Sequence, residues 1–165
     1  MPITNDEFRA ALSKFASGIT VVTTRDADGR LHGITVSAFA SVSLEPPIVL
    51  VCIDNATASH YAFGESGLFV VNILKSDQAA VSQQFATPFL DKFDGVGYEL
   101  SRAGIPILDG TLASLECRIA NSVVSGDHTV FFGEIENAVI RSGEPLTYFN
   151  GSYRHLGAVP PADQD

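Results

Sequence analysis

The sequence predicts a mainly β protein, an antiparallel β-barrel with a few short helices. Three observations carry that prediction. About six or seven runs of strand length are rich in Val, Ile, Thr and Phe. Turn-sized segments separate most of them, so successive strands pair as hairpins. Residues 111–141 hold two long runs with no space for a helix between them, whereas a parallel doubly wound sheet needs a helix between almost every pair of strands. The 165 residues amount to a single domain, and 45% hydrophobic with 18% charged residues is the composition of a folding chain rather than a disordered one.

Along the chain, Asn5 to Ala16 places Phe8, Ala11, Leu12 and Phe15 at helical spacing, with Thr4 or Asn5 to cap the first amides and Gly18 to end the helix. Ile19 to Thr24 is β-branched at every position, and Asp26-Ala27-Asp28-Gly29 turns this strand back into another that runs from Arg30 into Phe39. Glu45-Pro46-Pro47 breaks the pattern before a core strand at Ile48 to Ile53. A short helix is expected from Asn55 to Phe63, a strand from Leu68 to Leu74, and a helix from a Ser76 cap to about Phe85. Residues 86–106, with three glycines and two prolines, read as a long excursion rather than a linker, because Phe89, Leu90, Phe93 and Tyr98 need cover. Two long strands follow, at about Thr111 to Ser122 and His128 to Arg141, around a turn containing Ser125-Gly126-Asp127. Leu146 to Phe149 is a last short strand, and the end beyond it, 157–165, is expected to fray.

Ten Lys and Arg against 19 Asp and Glu give a net charge of −9. A nucleic-acid binder needs a basic stripe to displace counterions, and none is present, which all but removes that class. No basic segment followed by an apolar run opens the chain, and the longest apolar runs, as at Pro47 to Ile53, fall far short of the ~20 residues that span a membrane. The expectation is a cytoplasmic protein that neither crosses nor binds a membrane. Cys52 and Cys117 lie in apolar runs without metal-ligand spacing and read as small buried thiols in a reducing compartment. His32, His60, His128 and His155 form no ligand pair, so no metal is expected. Neither a G-x-G-x-x-G nor a G-x-x-x-x-G-K-[ST] loop occurs, and no serine sits in a G-x-S-x-G elbow.

Four places are candidates for chemistry. Thr35, Ser37, Ser41 and Ser43 alternate with apolar residues; the pattern by itself favours an amphipathic strand, while the small Ser37, Ala38 and Ala40 would let a flat ligand reach the backbone. Asp54 to Ser59, where strand passes into helix, offers amides and hydroxyls to an anion, or in the commoner case caps the helix through Asn55, Thr57 or Ser59. His128 follows Gly126-Asp127, so Asp127 would orient one ring nitrogen, although a lone His beside a turn is more often structural. His60 reads as a helix surface residue. Tyr148 to Arg154 would stack on a planar ligand and pair with its phosphate, or equally cover an open barrel edge.

Together these segments resemble the flavin reductase family, short split-barrel proteins that supply reduced flavin to two-component monooxygenases. The resemblance is carried by Gly33-Ile-Thr-Val-Ser-Ala-Phe-Ala-Ser-Val-Ser-Leu-Glu-Pro-Pro47 and by Phe69-Val-Val-Asn-Ile-Leu74 with Gln84-Phe85-Ala86. It continues through Gly126-Asp127-His128 ahead of Gly133-Glu134-Ile135 and closes with Leu146-Thr-Tyr-Phe-Asn-Gly-Ser-Tyr-Arg154. These stretches keep the family's order over roughly residues 8–156.

The resemblance implies an antiparallel split β-barrel of the FMN-binding type and a homodimer with the flavin near the subunit interface. It implies that Thr35, Val36, Ser37 and Ala38 line the isoalloxazine, with Ser41 close to its polar edge. Cys52, Ile53 and Asp54 would end the strand beneath the flavin's side chain, and Asn55, Ala58 and Ser59 would hold its phosphate end. Phe85, Lys92 and Phe93 would border an adenylate or a neighbouring subunit, and His128, with Tyr153 and Arg154, would face the nicotinamide nucleotide. The implied reaction moves a hydride from C4 of NADH or NADPH to N5 of FMN or FAD, chemistry that belongs to the cofactors and asks of the protein alignment and water exclusion. Two other readings keep the fold: a flavin- or haem-binding module without turnover, and an oxidase acting on a substrate such as a pyridoxine phosphate. The His128 and Tyr153-Arg154 set speaks for the reductase. No Lys or Arg lies between Arg30 and Lys75, so an implied flavin phosphate would depend mainly on hydroxyls, amides and the helix N-terminus near Asn55 to Ser59, aided by cations from elsewhere in the fold or the other subunit, with moderate affinity expected.

Overall fold

The computed structural model describes residues 2–88 and 91–157. Its helices are α1 (Asn5–Leu12), α2 (His60–Ser66) and α3 (Ala79–Ala86). Its strands are β1 (Ser17–Gly18), β2 (Thr20–Arg25), β3 (Leu31–Val36), β4 (Phe39–Ser43), β5 (Ile48–Asp54), β6 (Leu68–Ile73), β7 (Tyr98–Leu100), β8 (Pro106–Leu108), β9 (Ala113–Ser125), β10 (His128–Ile140), β11 (Thr147–Phe149) and β12 (Ser152–Arg154). The expected antiparallel architecture is present as a seven-stranded sheet in the order β3-β2-β6-β9-β10-β5-β4, with a smaller β1-β11-β12 sheet and a β7-β8 pair.

The two edges of the large sheet, β3 and β4, are consecutive in the chain, with only Ser37 and Ala38 between them. Residues 31–43 therefore bridge both edges, pairing with β2 up to Val36 and with β5 from Phe39 onward. This curls the sheet into a barrel with one seam. At the crossing, the Cys52 amide donates to Ala38 O (3.0 Å). Beyond it, no described strand pairs the outer edge of β3 or fills the space between β3 and the end of β5. The barrel is split there.

The interior is filled by Val22, Val36, Val49, Val51, Ile53, Val71 and Phe131, and Phe63 of α2 packs into the same cluster. The opposite face of β2 contributes Val21, with Ile19 just before the strand, to a second cluster with Phe85 of α3, Leu108 and Leu146. Residues 20–24 of β2 are thus buried on both faces, which explains why they are β-branched throughout instead of alternating. Phe85 lies so close beneath Gly33 that a Cβ at that glycine would collide with its ring. The turn between β9 and β10 runs through Gly126, whose φ of +62° is the left-handed region glycine tolerates best.

Several expected boundaries move for local reasons. Thr4 caps α1 through a reciprocal box with Glu7, but the helix ends at Leu12 rather than Ala16 and buries none of its side chains. α2 starts at His60, not Asn55, because Asp54 folds the intervening residues into a turn: its carboxylate accepts from the Ala56 amide (2.8 Å) and its carbonyl from the Thr57 amide (3.0 Å). Ser76 does not cap α3; its amide donates to Glu144 O (2.8 Å), and Gln78 precedes the helix. In the excursion, Phe93 gains its cover between Phe85 and Tyr98, at ring distances of 5.1 and 5.3 Å. Phe89, Leu90 and residues 158–165 lie outside the described residues.

Two polar anchors hold the frame. Asn72 on β6 is fully buried; its Nδ2 donates to Val21 O (3.1 Å) and Thr23 Oγ1 (3.2 Å), and its Oδ1 accepts from Leu108 N (3.0 Å) and Ser114 Oγ (3.1 Å). One amide thereby ties β6 to β2, β8 and β9. Asp26, in the β2–β3 turn, accepts from His32 Nε2 (3.0 Å), the Arg30 amide (2.9 Å) and the Tyr61 hydroxyl (3.0 Å), which fastens α2 to that hairpin. The His32 hydrogen bond above all, against the cost of burial and aided by Arg30 and Tyr61, holds the Asp26 carboxyl down at about 2.

Replacing Asn72 with Ala leaves several buried partners unmatched, and the loss expected in urea denaturation is about 3 kcal/mol; a change below about 1 kcal/mol would show that the network is dispensable. Because the Asp26 pKa is depressed on folding, its contribution is complete above the unfolded carboxyl value near ~4 and disappears as pH falls through about 2. Asp26→Asn should therefore be less stable than the parent at pH 7, with the gap between their denaturation midpoints closing below pH ~4. A gap that persists unchanged at the acid end would refute this.

Candidate functional site

The split in the barrel is a cleft of about 200 Å³ lined by Ile34, Thr35, Val36, Ser37, Ala38, Cys52, Ile53, Asp54 and His128. Three elements converge there. The end of β3 and the crossing supply residues 34–38, and the end of β5 supplies residues 52–54. β10 supplies His128, which the strand register sets opposite Asp54. Thr35 and Ser37 also line a second cleft of about 380 Å³, with Ile19, Ser82, Gln83, Ala86, Tyr148, Gly151, Ser152 and Tyr153. The same strand edge thus faces both hollows, which together reach the capacity of a nucleotide-sized ligand site.

The cleft is polar without being charged by cations, since no Lys or Arg lines either hollow. Its hydrogen-bonding capacity comes from the unpaired backbone edge of β3 and from small side chains at Ser37 and Ala38 that leave this backbone reachable. His128 is half-buried at the rim, and its Nδ1 lies 2.7 Å from Asp127 Oδ1, as the Gly-Asp-His order predicts. That hydrogen bond, with the His128 charge, holds the Asp127 carboxyl below its usual range. Asp127 also acts through its backbone, where its carbonyl accepts from the Asn55 amide (2.9 Å) and joins the β9–β10 turn to the turn after β5. In that turn the amides of Asn55, Ala56 and Thr57 are all engaged, and no described residue accepts from those of Ala58 and Ser59. Burial pushes the Cys52 thiol up.

The structure therefore brings Thr35, Val36, Ser37, Ala38, Cys52, Ile53, Asp54 and His128 into one cleft, with Asn55, Ala58 and Ser59 following in the adjoining turn. Tyr153 lines the second hollow, its hydroxyl donating to Ser82 Oγ (2.9 Å). The remaining candidates lie elsewhere. Ser41 is on β4 opposite Val49, outside both hollows. Phe85 has a fully buried side chain and offers a ligand no surface. Lys92 donates to Phe85 O (2.8 Å) at the C-terminal end of α3, where an ammonium suits the carbonyl dipoles, and its partial burial lowers its pKa. Phe93 packs on Phe85, and both rings lie beneath Gly33 of β3. Arg154 sits in a separate groove with Phe149 and His155, not with His128.

Sequence reasoning passes over Ser82. Its carbonyl accepts from Thr35 Oγ1 (2.6 Å) while its hydroxyl accepts from Tyr153, so one α3 residue pins both the cleft strand and β12. Only the placement of α3 against β3 reveals this. A signal does exist for β12: Asn150-Gly151, with φ of +51° and +78°, is the two-residue hairpin dipeptide. His60 is not a free surface residue, because its Nε2 lies 2.9 Å from Thr129 Oγ1. Among the described residues no cluster of three His, Cys, Asp or Glu is disposed to hold a metal, and no helix is long and apolar enough to cross a membrane.

A curled antiparallel sheet with a reachable backbone edge at its open seam defines a split β-barrel. The chain belongs to the flavin reductase family: residues 12–157 match the flavin reductase like domain. An FMN reductase (NADH), SmoA of Agrobacterium fabrum, is 41% identical over 146 residues, covering 88% of this chain and 83% of its own. The reductase component of a 4-nitrophenol 4-monooxygenase/4-nitrocatechol 2-monooxygenase from Rhodococcus opacus is 39% identical over 155 residues, 94% of this chain and 83% of its own. The NADH:FAD oxidoreductase SgcE6 of Streptomyces globisporus, solved with NAD and FAD fragments, shares the fold at a TM-score of 0.88 and 31% identity, covering 99% of this chain and all of its own. The chain spans about half, 53%, of a longer oxidoreductase structure from Sinorhizobium meliloti that it matches at a TM-score of 0.89.

Proposed function

We propose that this protein is an NAD(P)H:flavin reductase that delivers reduced FMN or FAD to a separate monooxygenase. The observation that carries the reading is the split itself: an unpaired strand edge flanked by small residues, with His128 fixed at its rim by Asp127. A planar heterocycle with hydrogen-bonding edges fits such a cleft, and family membership supplies its identity. Bound there, the flavin provides the hydride-accepting ring and the nicotinamide the hydride.

The protein's own part is placement. Thr35 to Ala38 present the free β3 edge to the ring, and amides of that edge are the donors available to negative charge that develops on reduction. Cys52, Ile53 and Asp54 form the floor that leads away from it. Asn55 with the Ala58 and Ser59 amides receives the phosphate end, without any cation from the cleft. His128, the proposed catalytic residue, lies where a nicotinamide nucleotide would enter, and Asp127 keeps its imidazole oriented. The relatives' names favour NADH as donor, divide between FMN and FAD, and in the Rhodococcus opacus case include a monooxygenase partner. A homodimer is supported by the exposed apolar row Phe8, Leu12 and Phe15, the last 76% exposed, which no described residue covers. The unpaired thiols Cys52 and Cys117 are in keeping with a cytoplasmic setting.

The direct test mixes the purified protein with FMN or FAD and NADH or NADPH and follows the nicotinamide absorbance; no oxidation in any of the four mixtures sinks the reading. His128→Ala should lower kcat/KM for the nicotinamide roughly tenfold or more while flavin affinity stays within about twofold. Unchanged steady-state constants would remove His128 from the site. Because no Lys or Arg lines the cleft, flavin should bind in the micromolar range and leave during gel filtration, and a nanomolar Kd with flavin retained would contradict that account.

A further inference from the structure

Beneath the turn after β5, three side chains outside the cleft form a chain of hydrogen bonds. Thr129, the second residue of β10, is 4% exposed, and its Oγ1 lies 2.7 Å from Asn55 Oδ1 and 2.9 Å from His60 Nε2. A hydroxyl has one hydrogen to give. The amide oxygen of Asn55 can only accept, so the Thr129 hydrogen goes there. Thr129 Oγ1 must then accept on its other side, and His60 Nε2 carries the hydrogen it receives. Donation runs in one direction, from His60 to Thr129 to Asn55.

The inward placement of Oδ1 leaves the other end of this exposed amide facing outward. With Oδ1 engaged by Thr129, Asn55 presents its Nδ2 hydrogens, for which no described residue is an acceptor, beside the free amides of Ala58 and Ser59. Reversal would turn a carbonyl toward the same place and repel an anion. The relay is also firmly seated: the Asn55 amide is tied to Asp127 O, and the His60 ring packs on Phe131 at 5.7 Å.

We propose that Thr129 and His60 are positioning residues for the phosphate group of the flavin, holding Asn55 with its NH2 outward so that it donates to a phosphate oxygen. This rests on the flavin reading and adds to it two residues that touch no ligand. Thr129→Val keeps the shape and deletes the hydroxyl; Thr129→Ser keeps the hydroxyl; His60→Phe keeps a ring against Phe131 and deletes the donor.

The test is an equilibrium titration of the full chain, without nicotinamide, against FMN and against riboflavin, which has the same ring and no phosphate. Thr129→Val and His60→Phe should each weaken FMN about tenfold while riboflavin moves less than about twofold, and Thr129→Ser should bind FMN within about twofold of the parent. Equal losses for both flavins, no loss for either, or a Ser variant as weak as the Val variant would overturn the proposal. So would a parent that binds FMN no better than riboflavin, which leaves the flavin reading standing. A parent that binds neither flavin overturns the flavin reading and this inference together.

Discussion

A strand can satisfy only the neighbours it lies against, and the segment from Leu31 to Ser43 divides its hydrogen bonds between two, β2 before the crossing and β5 after it. That division is the constraint on which the rest depends. It closes the sheet into a barrel with only two residues, Ser37 and Ala38, at the point of exchange, and it obliges the barrel to remain open beside the exchange. Open strand edges are ordinarily a hazard that proteins shield. Here the open edge is the place where a ligand can meet backbone directly, and the surrounding parts brace it. Phe85 fills the space under Gly33, Ser82 takes the Thr35 hydroxyl, and the two polar anchors at Asn72 and Asp26 fasten the strands and helix that flank the opening.

The chemistry asked of such a site is modest in its demands on side chains. A hydride passes between two bound molecules, so no acid, base or nucleophile of the protein has to stand at the reacting atoms. What matters is that two ligands lie in a fixed relation. Asp127 ties two parts of the cleft together, since its carbonyl accepts from the Asn55 amide in the turn after β5 while its carboxylate holds His128 at the rim. A single residue therefore sets the spacing between that turn and His128 through covalent geometry and two hydrogen bonds.

Much of this is legible in the sequence where burial dictates composition. Residues 20–24 of β2, buried on both faces, could hardly be anything but a β-branched run, and β9 and β10 declare themselves by length and by the glycine between them. The cleft residues 35–38, 52–54 and 128 come from the family resemblance, not from spacing alone, because hydroxyl-rich alternation looks the same on a wet strand as on a ligand edge. Boundaries fail where a side chain competes with the backbone: the Asp54 carboxylate captures the Ala56 amide and delays α2 by the length of a turn, Asn55 to Ser59. Phe85, Lys92 and Phe93 are illegible for a different reason. Nothing local distinguishes an aromatic that borders a ligand from one that fills the gap beneath a glycine of a distant strand; only the packing of α3 on β3 does so. Arg154 and Tyr153, adjacent in sequence, part company because successive residues of β12 face opposite sides.

The position of Cys52 has a consequence for how long such a molecule survives in air. Reduced flavin reacts readily with dioxygen and yields hydrogen peroxide, so a protein that makes and releases it sits beside its own source of oxidant. Peroxide attacks the thiolate and not the thiol. Cys52 lines the cleft, yet burial raises its pKa and keeps it in the protonated, unreactive form, and Cys117, pushed up to about 12, is more inert still. Both thiols are thereby held in the form that peroxide attacks least.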